Sequence, residues 1–213
     1  MAKHFYNEAM VQRQADAVLG RWGADSEETV AIPVPIESIV ETEPYDLGIL
    51  WEPIPEPAGQ MILAGLDPSE RLIVFNESRG LLFDDDPFLY RTVLAHELGH
   101  WQLHVDQAVL SHPLLPGFER PYQFVCRRGD DAWEERHAHW FASHLLLPRD
   151  LLRALAGDQP IRSWPDMYRL RDRCQVTITM LRIALEQLGY TYVDDDGQIH
   201  RSQREYQGQE RLF

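Results

Sequence analysis

Cysteine is scarce in this chain: Cys126 and Cys174 are the only two among 213 residues. Two cysteines make no disulfide framework, and a chain of this length can build a hydrophobic core without covalent staples. No apolar run approaches the roughly 20 residues of a membrane-spanning helix. The opening MAKHFYNEAM lacks the apolar stretch of a secretory signal. These absences point to the cytoplasm, where both thiols stay reduced. Lysine is nearly missing as well, with Lys3 set against 19 arginines. That bias fits the codon usage of a G+C-rich genome and assigns no role to any one arginine. Internal repeats and low-complexity tracts are also lacking.

Acid is abundant. Thirty-four Asp and Glu outweigh 20 Lys and Arg, for a formal charge of −14. Broad electrostatic affinity for nucleic acid or an anionic membrane is therefore not expected, whereas a basic protein partner is compatible. Hydrophobic residues at 44% and charged residues at 25% are those of a soluble globular chain, one domain or one with an appendage.

Helical spacing of Val11, Ala15, Val18, Leu19 and Trp22 predicts an amphipathic helix over 6–22, stopping at Gly23. Pro33-Val34-Pro35 opens a short helix with Ile36, Ile39 and Val40. Strand patterns follow at 48–51, 60–66 and 71–75, the last two joined by the turn Asp67-Pro68-Ser69-Glu70. They make a small, mostly antiparallel three-stranded sheet. Asp84-Asp85-Asp86-Pro87 marks a helix start, and the helix runs to about His104. Residues 106–130, rich in Pro and Gly, read as a long loop. Further helices are expected over 131–147, 149–156, 164–173 and 178–188, the last ending at Gly189. A hairpin over 191–200 and a loose tail over 201–210 complete the chain.

The chemistry concentrates in His96-Glu97-Leu98-Gly99-His100. Positions i and i+4 of a helix lie one above the other, so His96 and His100 can aim at one ion. Glu97 then projects beside the ion, where it can take a proton from water held there. About 0.03 motifs of this form are expected by chance in such a composition, so its context has to support it. Leu94, Ala95, Leu98 and Gly99 argue against a merely solvated face. A glycine inside a helix costs about 1 kcal/mol against alanine, which suggests close approach of another element.

A catalytic zinc generally takes three protein ligands and keeps a fourth position open. The third is best sought on the 131–147 helix. There Glu135, Ala138 and Ala142 share a face, and the alanines allow close packing against Gly99. Spacing favours Glu135 over Glu134. His104, His139 and His144 are rival ligands whose plainer reading is packing or support of the ligands.

Arg91-Thr92-Val93-Leu94-Ala95-His96-Glu97-Leu98-Gly99-His100 with Leu103-His104 resembles the motif helix of the ImmA/IrrE family of metallopeptidases. Glu135 through Pro148 resembles that family's second signature, and Pro33-Val34-Pro35-Ile36 and Ile73-Val74-Phe75-Asn76 fit its usual order. The likeness covers roughly 6–150. It implies an α+β, zincin-like core over 1–150, Zn²⁺ held by His96, His100 and Glu135, and Glu97 as the catalytic glutamate. It also implies a protein substrate, a helix-turn-helix repressor of the Xre type, whose cleavage releases silenced genes. His139 departs from the family's usual asparagine, the 106–130 connection is long, and no sensor domain follows.

Residues 151–213 read as a C-terminal helical and hairpin subdomain with a loose tail, in which 164–200 follow the order of a winged helix: helix, turn, helix, hairpin. That order allows a different function, a non-proteolytic regulator or toxin–antitoxin-type partner with a zinc site. Arg153, Arg162, Arg169, Arg171, Arg173 and Arg182 are nearly balanced by Asp150, Asp158, Asp166, Asp172 and Glu186, so no basic stripe exists for DNA. Packing on the core or docking of substrate is the better-supported role.

Overall fold

The computed structural model describes residues 6–26, 29–106, 124–127, 133–157 and 161–210, the stretches 124–127 and 209–210 as backbone only. Helix α1 (Glu8–Ser26) buries Val11, Ala15, Val18 and Leu19 along one stripe. It continues past Gly23, where the sequence predicted its end, and Ser26 Oγ closes the last turn by donating to Trp22 O at 2.7 Å. Helix α2 (Ile36–Glu41) starts after Pro35 and buries Ile36, Ile39 and Val40.

The main sheet has the order β1 (Gly48–Glu52), β3 (Leu72–Asn76), β2 (Ile62–Asp67), β4 (Phe124–Arg127). The expected hairpin is β2–β3, antiparallel, pairing Leu66 with Ile73 and Ala64 with Phe75. Asp67 shapes its turn: its Oδ1 accepts from Ser69 N at 2.9 Å and Glu70 N at 3.2 Å. Strand β1 joins β3 in parallel. Strand β4 adds a fourth member, antiparallel to β2, from the segment read as loop. The remainder of that expected loop lies largely outside the described residues. One face of the sheet carries the alternating Ala64, Leu66, Ile73 and Phe75 into the core. The other holds a small cluster of Ile54, Ile62 and Val74.

A short helix, α3 (Gly80–Asp85), intervenes before the motif helix α4 (Leu89–His104). The triple aspartate does not cap α4 directly. Asp86 Oδ1 accepts from Phe88 N at 3.1 Å, which turns the chain just ahead of the first helical residue. Helix α4 is buried almost all round from Val93 to Leu103. Arg91 ties it to the rest: its Nη1 donates to Glu37 Oε2 at 2.8 Å, Nη2 to Val34 O, and Nε to Gln175 O at 3.3 Å. Helix α5 (Trp133–Leu146) packs chiefly on α4 and α1.

The C-terminal part runs α6 (Arg149–Gly157), α7 (Trp164–Cys174), α8 (Ile178–Gln187), then the hairpin β5 (Tyr192–Val193) and β6 (Ile199–His200). Ser163 and Thr177 cap α7 and α8 through their hydroxyls. Gly189, at φ +75°, ends α8 with the paired bonds Gly189 N to Glu186 O and Tyr190 N to Leu185 O. The tail expected to be loose contains a helix, α9 (Gln203–Glu210). Tyr206 explains it, because its ring packs on Tyr192 and His200 of the hairpin at 5.3 and 4.7 Å. Met167, Leu170, Leu181 and Leu185 belong to the same core cluster as Leu94, Leu98 and Phe141. Among the described residues no helix is long and apolar enough to cross a membrane.

Candidate metal centre

Helix α4 presents His96 and His100 from successive turns, and α5 presents Glu135 toward them. The close crossing depends on Gly99. A Cβ there would stand 3.1 Å from Ala138 Cα, 3.2 Å from Ala138 O and 3.1 Å from Phe141 Cδ1. Two of those atoms are backbone and cannot yield without moving α5. Gly99→Ala is therefore expected to lower stability by about 1–2 kcal/mol, overpacking outweighing the gain in helix propensity. Urea unfolding of the metal-free chain measures this, and an unchanged midpoint would show that the two helices do not meet here.

The donors converge tightly. Glu135 Oε2 lies 3.1 Å from His96 Nε2, Glu135 Oε1 lies 3.1 Å from His100 Nε2, and the two Nε2 atoms are 3.0 Å apart. With Glu135 ionised, no pair of imidazole tautomers satisfies all three contacts. If both Nε2–H groups donate to the carboxylate, two donors face each other at 3.0 Å. If one nitrogen accepts from the other, it faces the carboxylate lone pairs instead. A cation drawn to all three lone pairs removes the conflict. Donors on a tetrahedron with bonds of roughly 2.0–2.1 Å stand about 3.3 Å apart, close to the observed spacing.

Electrostatics point the same way. Burial by itself would raise Glu135, but donation from His100 and His96 outweighs it and holds the carboxyl below its ordinary range. Burial lowers His96, against the pull of Glu135, so its ring favours the neutral, ligating form. Glu97 is fully buried, and among the described residues neither of its carboxyl oxygens has a hydrogen-bond partner. Burial first, and the charge of Glu135 second, push its pKa well above the usual carboxylate value. A buried acid without partners is costly, and such groups collect at functional sites.

The other candidates take distinct places. His139 brings a donor atom within 4.8 Å of those of His96 and Glu135, and its ring lies 4.5 Å from that of His96. His104 Nδ1 lies 3.1 Å from His100 Nδ1, on the side of that ring away from Glu135. His144 faces α1, with Nε2 3.4 Å from Glu8 Oε1. Glu134 is only partly buried on another face of α5. His137, which the sequence did not single out, is buried behind His104, with Nδ1 3.4 Å from His104 Nε2. Its signal lay in plain view, since α5 carries three histidines.

Residues 81–186, about half the chain, match the IrrE N-terminal-like domain family, Peptidase_M78, and the match takes in both helices of the centre. The chain belongs to the ImmA/IrrE family. The family and the grouping of His96, Glu135 and His139, whose donor atoms lie within 4.8 Å of one another, point to a metal ion at this site. The chain is also 31% identical over 106 residues to ribosomal RNA large subunit methyltransferase H of Pseudomonas aeruginosa (strain UCBPP-PA14), covering 50% of this chain and 57% of that protein. Among solved structures it is similar to a Mycobacterium tuberculosis transcriptional regulator at 12% identity and a TM-score of 0.41, over 92% of this chain and 59% of that one. It thus spans little more than half the length of either relative.

Proposed function

We propose that this ImmA/IrrE family member is a zinc-dependent endopeptidase that cleaves a helix-turn-helix repressor of the Xre type in the cytoplasm and so derepresses genes. The observation that carries the reading is the convergence of His96, His100 and Glu135 beside a buried Glu97 whose oxygens are unpartnered. His96, His100 and Glu135 would hold the Zn²⁺. When bound, the ion would polarise the scissile carbonyl and acidify water toward neutral pH. Glu97 takes the proton from the attacking water and returns it to the leaving amine.

Strand addition is the natural way to hold an extended substrate. Among the described residues the sheet ends at β1 and β4, and β4 contacts α4, so β4 is the edge proposed for an incoming substrate strand. Residues 1–150 would act as the catalytic unit and 151–213 as a subdomain that docks the repressor. Arg153, Arg169, Arg171 and Arg182 are paired with Asp150, Asp166, Asp172 and Glu186. This leaves little net positive charge for a phosphate backbone and supports a protein partner over DNA.

Co-incubation with the repressor encoded beside its gene is the test. Zinc-loaded protein is expected to cut it at one site, and a chelator to stop the cut. A repressor that stays intact in every condition would count against the assignment.

A further inference from the structure

The side of His100 away from Glu135 is built as a line of three imidazoles. His100 Nδ1 meets His104 Nδ1 at 3.1 Å, and His104 Nε2 meets His137 Nδ1 at 3.4 Å. His100 and His137 are buried, and the ring of His137 packs edge-on against Tyr6 at 5.6 Å. A His100 ring that offers the Nε2 lone pair to a cation must carry its proton on Nδ1. That proton points at His104 Nδ1, which must then be an acceptor. A neutral His104 with a bare Nδ1 carries its proton on Nε2, the nitrogen that faces His137. One tautomer choice therefore runs through His100 and His104, and only one direction of donation between them is consistent with a ligand at His100 Nε2.

We infer that His104 is a positioning residue for the metal centre: by accepting from His100 Nδ1 it fixes that ligand's tautomer and ring angle. An imidazole takes the place that a carboxylate or a backbone carbonyl usually fills behind a ligating histidine. The inference rests on the proposed metal reading of the centre and deepens it.

Two measurements test it on the full chain. In ¹⁵N spectra of the zinc-loaded protein, His104 is expected as the neutral Nε2–H tautomer with an unprotonated Nδ1. An Nδ1–H tautomer there would overturn the inference. Zinc affinity by chelator competition is the second readout. His104→Leu keeps apolar volume but removes the acceptor and is expected to weaken zinc about 10–100-fold. His104→Asn restores an acceptor near the Nδ1 position and is expected to stay within about 3-fold of the unmodified chain. Equal affinities for both variants would overturn the inference while leaving the metal site intact. If the unmodified chain takes up no zinc, the metal reading itself fails and this one with it. Should the leucine variant not fold, the tautomer measurement on the unmodified chain decides.

Discussion

Glu97→Gln is expected to leave zinc content unchanged and to slow cleavage of the repressor by about 10²–10⁴-fold, the usual worth of a positioned general base. Glutamine has nearly the same shape, so the packing around the fully buried side chain survives. It is neutral, and neither oxygen of Glu97 holds a partner that an amide would displace. It cannot, however, accept and return a proton. Because the native carboxyl sits in a site that disfavours its charge, the variant should unfold at the same or a higher temperature. Intact-mass analysis of the repressor, run with metal determination on the same sample, separates the two effects. Undiminished cutting by Glu97→Gln would remove Glu97 from the proton-transfer role.

Glu135→Ala is expected to weaken zinc binding by more than about 100-fold, since loss of a mere outer partner already costs about 10–100-fold. The variant leaves His96 and His100 with Nε2 atoms 3.0 Å apart and no anion between them. Two neutral rings make a poor trap for a dication, and the charge that offsets the ion's lost hydration is gone. Glu134→Ala, on the neighbouring and partly exposed position, should change affinity by less than about 2-fold. Competition with a chromophoric chelator reads both. Equal losses in the two variants would mean that the α5 carboxylate acts only through general charge, and no loss at Glu135 would remove it from the ligand set.

Several features of this site were readable from spacing. His96 and His100 are one helical turn apart, and the covalent geometry of any α-helix stacks them. The glycine between them announced a close neighbour, and the structure supplies it in Ala138 and Phe141. Ala138 and Ala142, small and on the face of Glu135, are both fully buried. Turn chemistry was equally local, as at Asp67–Glu70 and at Gly189.

Other features misled a local reading. The prolines and glycines of 106–130 read as loop, yet Phe124–Arg127 pairs with β2, because a strand of four residues carries too little periodicity to stand out. The three strands were expected in a mostly antiparallel sheet, but β1 lies parallel to β3, a pairing that depends on how the intervening chain returns. The tail became α9 through one aromatic packing on the hairpin, a contact that no helical propensity reveals.

The order of residues alone settled which side chains could act: a histidine pair one turn apart, an acid beside it, and a second helix carrying carboxylates and small residues. Packing between distant segments decided the rest. It brought the Glu135 carboxylate to 3.1 Å from both His96 and His100, set a donor atom of His139 within 4.8 Å of those of His96 and Glu135, and placed His104 and then His137 on the far side of His100. Spacing along a helix follows from bond geometry within a few residues, whereas the rotation of one helix against another is set by all the buried surfaces that meet between them.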